Sequence, residues 1–213
     1  MLRGMFLQVV FLLILVAGIA GLFRMLLQRA AERSRRQHRA LAERFDLAME
    51  DPPPRAFGFV WPEPAVHGRY RGREVSVAPT GKGLQNTRQI ETAVKAEARA
   101  GGLEMQLTAA GVLGRMRQRD SRASTRCSTG DDSFDEAVDL RASDVHAPPR
   151  IFEDADLRRR VRETLQTTRG TLYAGKDTLV FVRFGLIQAD RERESIESIV
   201  ELLCDLGERI EAS

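Results

Sequence analysis

Residues 171–184 read TLYAGKDTLVFVRF. The arms 171–174 and 178–184 carry β-branched and aromatic side chains, and Gly175-Lys176-Asp177 has the composition of a tight turn. The stretch reads as a β-hairpin. Its second arm is the most apolar strand in the chain and is expected at the centre of a sheet. Shortly after it, Ile196, Ile199, Val200, Leu203, Leu206 and Ile210 recur at the spacing of one helical face, which predicts a long helix over 192–210. Cys204 borders that face and is expected to pack on the sheet. A hairpin followed by an amphipathic helix implies an α+β class, a mostly antiparallel sheet with late helices on one face.

Working back from the hairpin, Asp154 is a good N-cap, with Asp156 in the first turn favouring the helix dipole. Leu157, Val161 and Leu165 form the apolar stripe of that helix, and Gly170 is its natural stop. Pro148-Pro149 ends the preceding segment. Before it lies the acidic run 130–139, GDDSFDEAVD, in which Phe134, Val138 and Leu140 are positioned to face the core. Residues 112–119 read as a strand with Arg115, Arg117 and Arg119 on one face. These arginines, with Arg122 and Arg126, are expected to neutralise the acidic run.

Residues 87–100 fit a helix or a strand. Gly101-Gly102, followed by the alternating Leu103, Met105 and Leu107, favours two strands joined as a second hairpin. A first hairpin is expected from 66–70 and 74–78 around Arg71-Gly72. Thr80-Gly81-Lys82-Gly83 lacks the spacing of a phosphate loop and reads as a turn. Trp61, the only Trp, sits among prolines and is expected to plug the core.

Residues 4–23, GMFLQVVFLLILVAGIAGLF, contain no charge and lie between Arg3 and Arg24. A helix of that length covers about 30 Å, the hydrocarbon thickness of a bilayer. A cleavable signal is the alternative, with Gly18-Ile19-Ala20 as its site, but the apolar run lacks a polar end before Arg24. Residues 24–44 then carry seven Arg against two Glu. The positive-inside rule places that flank, and the domain after it, in the cytoplasm at the inner membrane. The expected organisation is an anchor over 1–27, an Arg-rich juxtamembrane helix and Pro linker over 28–54, and a cytoplasmic α+β domain over 55–213. The juxtamembrane helix should run to about Met49, with Leu41, Phe45, Ala48 and Met49 as its docking stripe. His38 is expected to be solvated.

Residues 1–44 hold eight Arg and two Glu, and the remainder holds 25 basic and 28 acidic side chains. The basicity belongs to the membrane flank, which argues against nucleic acid as a partner. The two cysteines, Cys127 and Cys204, stand in no CxxC or Cys/His cluster. Two buried thiols are the expected state, with a single disulfide as the alternative. The three His form no nucleophile or zinc motif, and no cofactor is expected. Three candidate sites are left. Asp131, Asp132, Asp135 and Glu136 could offer oxygen ligands to Ca²⁺ or Mg²⁺. Arg24, Arg29, Arg33, Arg35, Arg36 and Arg39 could meet anionic headgroups, or act only as the retention signal. Arg115, Arg117 and Arg119 could hold an acidic protein surface or phosphate.

Two short segments, 67–75 (HGRYRGREV) and 130–135 (GDDSFD), resemble the G-x-Y-R-G-R-x-V and G-D-x-x-F-D patterns of a diffuse group of uncharacterised bacterial proteins with one N-terminal membrane helix. The resemblance would cover about 40–210 and implies no assigned activity. The expected function is a membrane-tethered, non-catalytic interaction or scaffold domain, self-associating or binding a protein partner. The alternatives are a metal-dependent enzyme using 131–136 and an anionic-lipid-binding module.

Overall fold

The computed structural model describes residues 2–80, 90–111 and 125–212. The strand expected at 112–119, with Arg115, Arg117 and Arg119, and most of the turn at 80–83 fall outside these residues. Among the described residues nine strands form one antiparallel sheet: β1 Ala48–Glu50, β2 Ala65–Tyr70, β3 Arg73–Thr80, β4 Glu91–Glu97, β5 Met105–Ala109, β6 Thr125–Arg126, β7 Val138–Ala142, β8 Thr171–Gly175 and β9 Thr178–Phe184. Their spatial order is β1-β2-β3-β4-β9-β8-β5-β7-β6, so β9 is the middle strand. The helices are α1 Leu2–Phe45, α2 Asp132–Ala137, α3 Ala147–Ile151, α4 Ala155–Thr168 and α5 Asp190–Ala212.

Strand alternation decides which face is buried. Met49, Val66, Val77, Val94, Phe181, Leu172, Leu107 and Leu140 stand opposite one another across eight strands. All but Met49 are buried there, in one core with the apolar stripes of α1, α4 and α5. The next row, on the other face, reads His67, Ser76, Lys95, Val180, Tyr173, Gln106 and Arg141. Cys127 and Cys204 are buried and unpaired. Burial pushes both thiols above their ordinary pKa.

The Gly101-Gly102 hairpin does not form. Both arms are strands, but β4 pairs with β3 and β9, and β5 pairs with β7 and β8. The β8–β9 hairpin is inserted between them. Alternation specifies a strand and its buried face, and leaves the neighbour to long-range packing. The acidic run makes a short helix, α2, N-capped by Asp131, before the chain becomes β7. Phe134, Val138 and Leu140 are buried, as expected. Pro148 and Pro149 lie inside α3 rather than in a breaking loop, at its first turn, where a missing N–H costs nothing. Asp154 caps α4 by accepting from the amides of Asp156 and Leu157 at 2.8 and 3.3 Å. The left-handed residue that ends α4 is Arg169, at φ 52°, rather than Gly170.

Two hairpin turns have positive φ at both central residues, as type I′ requires: Arg71-Gly72 (51° and 78°) and Lys176-Asp177 (49° and 60°). The second turn has no glycine at its central positions. Replacing it by Asn-Gly (Lys176→Asn with Asp177→Gly) is expected to stabilise the protein by about 1 kcal/mol, because left-handed backbone costs roughly that for ordinary side chains. A midpoint shift in urea unfolding at unchanged slope checks it, and no gain would mean the turn is unstrained.

Candidate functional site

The feature that distinguishes this domain is how α1 joins it. The helix is 44 residues long, about 66 Å at 1.5 Å per residue. Its described apolar part is bare: Phe11, Leu12, Leu13 and Ile14 are all more than half exposed. By length and composition this helix can cross a membrane. Further along, Ala31, Ser34, His38, Leu41, Ala42 and Phe45 recur on one face and are buried. Phe45 meets Tyr70 edge to face, with ring centroids 4.7 Å apart. Helix α1 stops at Phe45. Asp46 turns the chain with φ 54°, and Ala48 and Met49 belong to β1 rather than to the helix. β1 is a short edge strand, and pairing with β2 outweighs the helix propensity of Ala and Met.

Polar groups complete the joint. Ser34 donates to Glu63 at 2.5 Å. Arg35 pairs with Asp51 at 2.8 Å, and its guanidinium carbon lies 4.6 Å from the centre of the Trp61 ring. Trp61 is thus no core plug. It is half-buried and donates its Nε1–H to the Gly58 carbonyl at 2.8 Å. A rigid amphipathic ring serves better at this boundary, where one edge is dry and the other wet.

His38 is likewise not solvated. It is only 2% exposed, with Nδ1 2.9 Å from the Ser34 carbonyl, so Nδ1 carries the proton and donates. Burial lowers its pKa below the ordinary 6.5, against opposing pulls from the Ser34 carbonyl, Glu63 and Asp51. A histidine whose folded pKa is depressed favours folding fully above the unfolded value. That contribution is lost as pH falls from about 6.5 through the folded pKa, because the unfolded chain binds the proton more readily. Thermal stability is therefore expected to fall between pH 7.5 and 5.5, and His38→Gln should flatten that slope. An unchanged slope in the variant would assign the acid sensitivity elsewhere.

The basic flank divides by helical face. Arg29, Arg33, Arg36 and Arg39 are exposed on the side opposite the buried stripe. Arg24 is also exposed, but it lies against the 52–64 segment, where a Cβ added to Gly58 would sit 3.2 Å from its Nη2. Arg35 is half-buried against Asp51 and Trp61. Of the expected six, four arginines face outward, Arg24 lies beside Gly58 and Arg35 is engaged by Asp51 and Trp61.

Two carboxylates of the acidic run, Asp131 and Asp135, are engaged within the fold. Asp131 accepts from Ser133 Oγ (2.7 Å), the Phe134 amide (3.1 Å) and Arg158 Nε (2.9 Å), which together hold its pKa low. Burial pushes Asp135 up, but bonds from Ser128 and Thr129 outweigh it and hold its pKa below the ordinary value. Asp132 and Glu136 point outward, exposed. Among the described residues no group of three or more His, Cys, Asp or Glu is placed to hold a metal ion. The partner of Asp131 is Arg158 of α4, a residue too distant in sequence to be read from the run itself.

Sequence reading also missed a distal clasp. Arg73 meets Glu211 through two 2.7 Å bonds and donates to the Glu97 carbonyl at 2.9 Å. The Arg73 guanidinium and the Arg99 amide hold the Glu211 pKa at about 2. This bidentate pair ties the end of α5 to β3 and β4. Beside it, a groove of about 620 Å³ runs between α4 and α5, with Arg71 and Arg160 both on Asp205 at 2.6 Å. Its lining mixes charges (Glu163, Arg191, Glu201) with hydroxyls (Thr164, Ser198), which suits a polar protein surface.

The molecule is thus an α+β domain, an antiparallel sheet with helices on one face, continuous with a helix of membrane-crossing length. Among solved structures, the crystal structure of the mycobacterial trehalose monomycolate transport factor A, TtfA, is similar in fold. It superposes with a TM-score of 0.53 at 10% identity, covering 83% of this chain and 93% of that one. No family model matches the chain, and no curated protein matches it in sequence.

Proposed function

We propose that this chain is a single-pass membrane-tethered scaffold. Its domain is held at the cytoplasmic face, where it binds a protein partner or a second copy of itself, without catalysing a reaction. The observation that carries this reading is the continuity of α1. One uninterrupted helix is bare along the described part of its apolar half and part of the domain core along the other. Such a joint fixes the height and orientation of the domain relative to a bilayer, which a flexible linker would not do. The fold likeness to a mycobacterial transport factor supports a role accessory to a membrane transport process. The exposed row Arg29, Arg33, Arg36 and Arg39 favours anionic lipid as an auxiliary contact. The α4–α5 groove is the surface best suited to the partner.

Two experiments test it. A pair of C-terminal reporter fusions, one active only in the cytoplasm and one only outside it, should report a cytoplasmic domain. Activity of the external reporter would overturn the topology. A photo-crosslinker at Ser198 or Thr164 in native membranes should give one discrete adduct, absent when it is placed at Ser76 on the opposite sheet face. Equal or absent adducts at both faces would remove the groove from the proposal.

A further inference from the structure

We propose that the loop 55–60 is a second membrane contact, seating the Phe59 ring in the interfacial layer of the bilayer beside the point where α1 leaves it. This rests on the reading of α1 as a membrane span. The loop is placed by the joint itself. Asp51 is fixed to Arg35, and the next residues run back along α1 until Gly58 lies against the Arg24 guanidinium, whose Nη2 and Nε would be 3.2 and 3.3 Å from an added Cβ. Arg24 precedes Arg35 by eleven positions, about 16 Å along the helix axis, so the loop lies on the side of Asp51 that faces the span. Arg24 is also the first charged residue after the uncharged run 4–23, which places its neighbours at headgroup height.

The loop is built for that layer. Its backbone is closed on itself: the Arg55 amide donates to the Val60 carbonyl at 2.7 Å, the Val60 amide to the Arg55 carbonyl at 3.1 Å and the Phe59 amide to the Ala56 carbonyl at 3.1 Å. Satisfied backbone groups lower the cost of approaching lipid. The Gly58 carbonyl is taken by Trp61. Among the loop's described side chains the large apolar one facing outward is Phe59, 42% exposed; the exposed Arg55 opens the loop and Arg24 lies against Gly58, next to Phe59 in sequence. Outside α1, only three other large apolar side chains among the described residues are exposed, Ile90, Val145 and Phe184. An exposed aromatic ring on a loop that carries one arginine and lies against another matches the bilayer interface, with apolar chain ends below and phosphates beside. The occupant is phospholipid, and two contacts on one rigid body would fix rotation about the α1 axis as well as height.

The test uses the full chain in phosphatidylcholine vesicles, with an environment-sensitive fluorophore at Phe59→Cys or at Val145→Cys. Val145 follows β7 at the far end of the sheet, and the native thiols are buried. Lipids carrying a nitroxide near the top of the acyl chain should quench most of the emission at 59 and almost none at 145. Equal quenching at the two sites, with the chain remaining in the vesicles after alkaline washing, overturns the loop contact and leaves the span intact. A blue shift at 59 that follows protein density and not lipid quencher would place a second copy there, and overturns it too. Loss of the chain from the vesicles on washing overturns the span reading and this proposal together.

Discussion

Gly170→Ala is expected to destabilise the domain by about 3 kcal/mol or more, among the largest effects of a single methyl group. A Cβ at this position would lie 2.3 Å from Phe181 Cζ, 2.6 Å from Cε1 and 2.9 Å from the Val182 carbonyl oxygen. Phe181 is fully buried on the middle strand, and the carbonyl is backbone, so neither group can give way cheaply. The glycine is required by this close approach, since the left-handed cap of α4 falls on Arg169. Phe181→Leu should relieve part of the clash. The double variant is expected to be more stable than the two single effects predict, by about 1–2 kcal/mol of coupling. Urea unfolding of the four proteins, followed through Trp61 fluorescence, measures this cycle. Additive effects would mean that the clash is relieved by backbone movement instead.

The second large effect concerns the joint. A fragment 46–213 is expected to be insoluble or to unfold without cooperativity, whereas 28–213 should unfold as one transition. Leu41, Ala42 and Phe45 are at most 7% exposed and lie in the same core as Val66, Val77 and Ile199. Removing α1 exposes their partners, and burial of a Leu or Phe contributes about 1.5–3 kcal/mol each. Loss of these and of the Arg35–Asp51 and Ser34–Glu63 bonds approaches the whole stability of a typical domain, about 5–15 kcal/mol. Calorimetry on the two fragments decides the matter. Equal transition temperatures would mean that α1 is a tether only, and would also weaken the proposed control of orientation.

Much of the candidate site was legible locally. Leu41 and Phe45 are legible as a docking face because i, i+4 spacing within a single helix is visible in a few residues, while Ala48 and Met49, which continue the same period, fall in β1. The burial of His38 was not legible. It stands among five arginines, and only the return of the chain through Glu63, 25 positions later, makes a polar pocket for it. Arg35 and Arg36 are adjacent and chemically identical, yet one is clamped between Asp51 and Trp61 and the other is exposed. A rotation of 100° per residue separates them, and its phase relative to the domain is set by packing.

The sequence by itself determined the α+β class, the 171–184 hairpin with its central arm, the apolar faces of α4 and α5, the Arg71-Gly72 turn and a helix able to cross a membrane. Each of these is written in a period of 2 or 3.6 residues or in the chemistry of a turn, so neighbours in sequence suffice to specify it. Only the tertiary structure decided that β9 and β8 separate β4 from β5, that Asp131 answers to Arg158, and that α1 is clamped to the domain rather than linked to it. Those choices are made between surfaces far apart in the chain. The winning pairing is the one that buries the most apolar area while leaving the fewest polar groups unpaired.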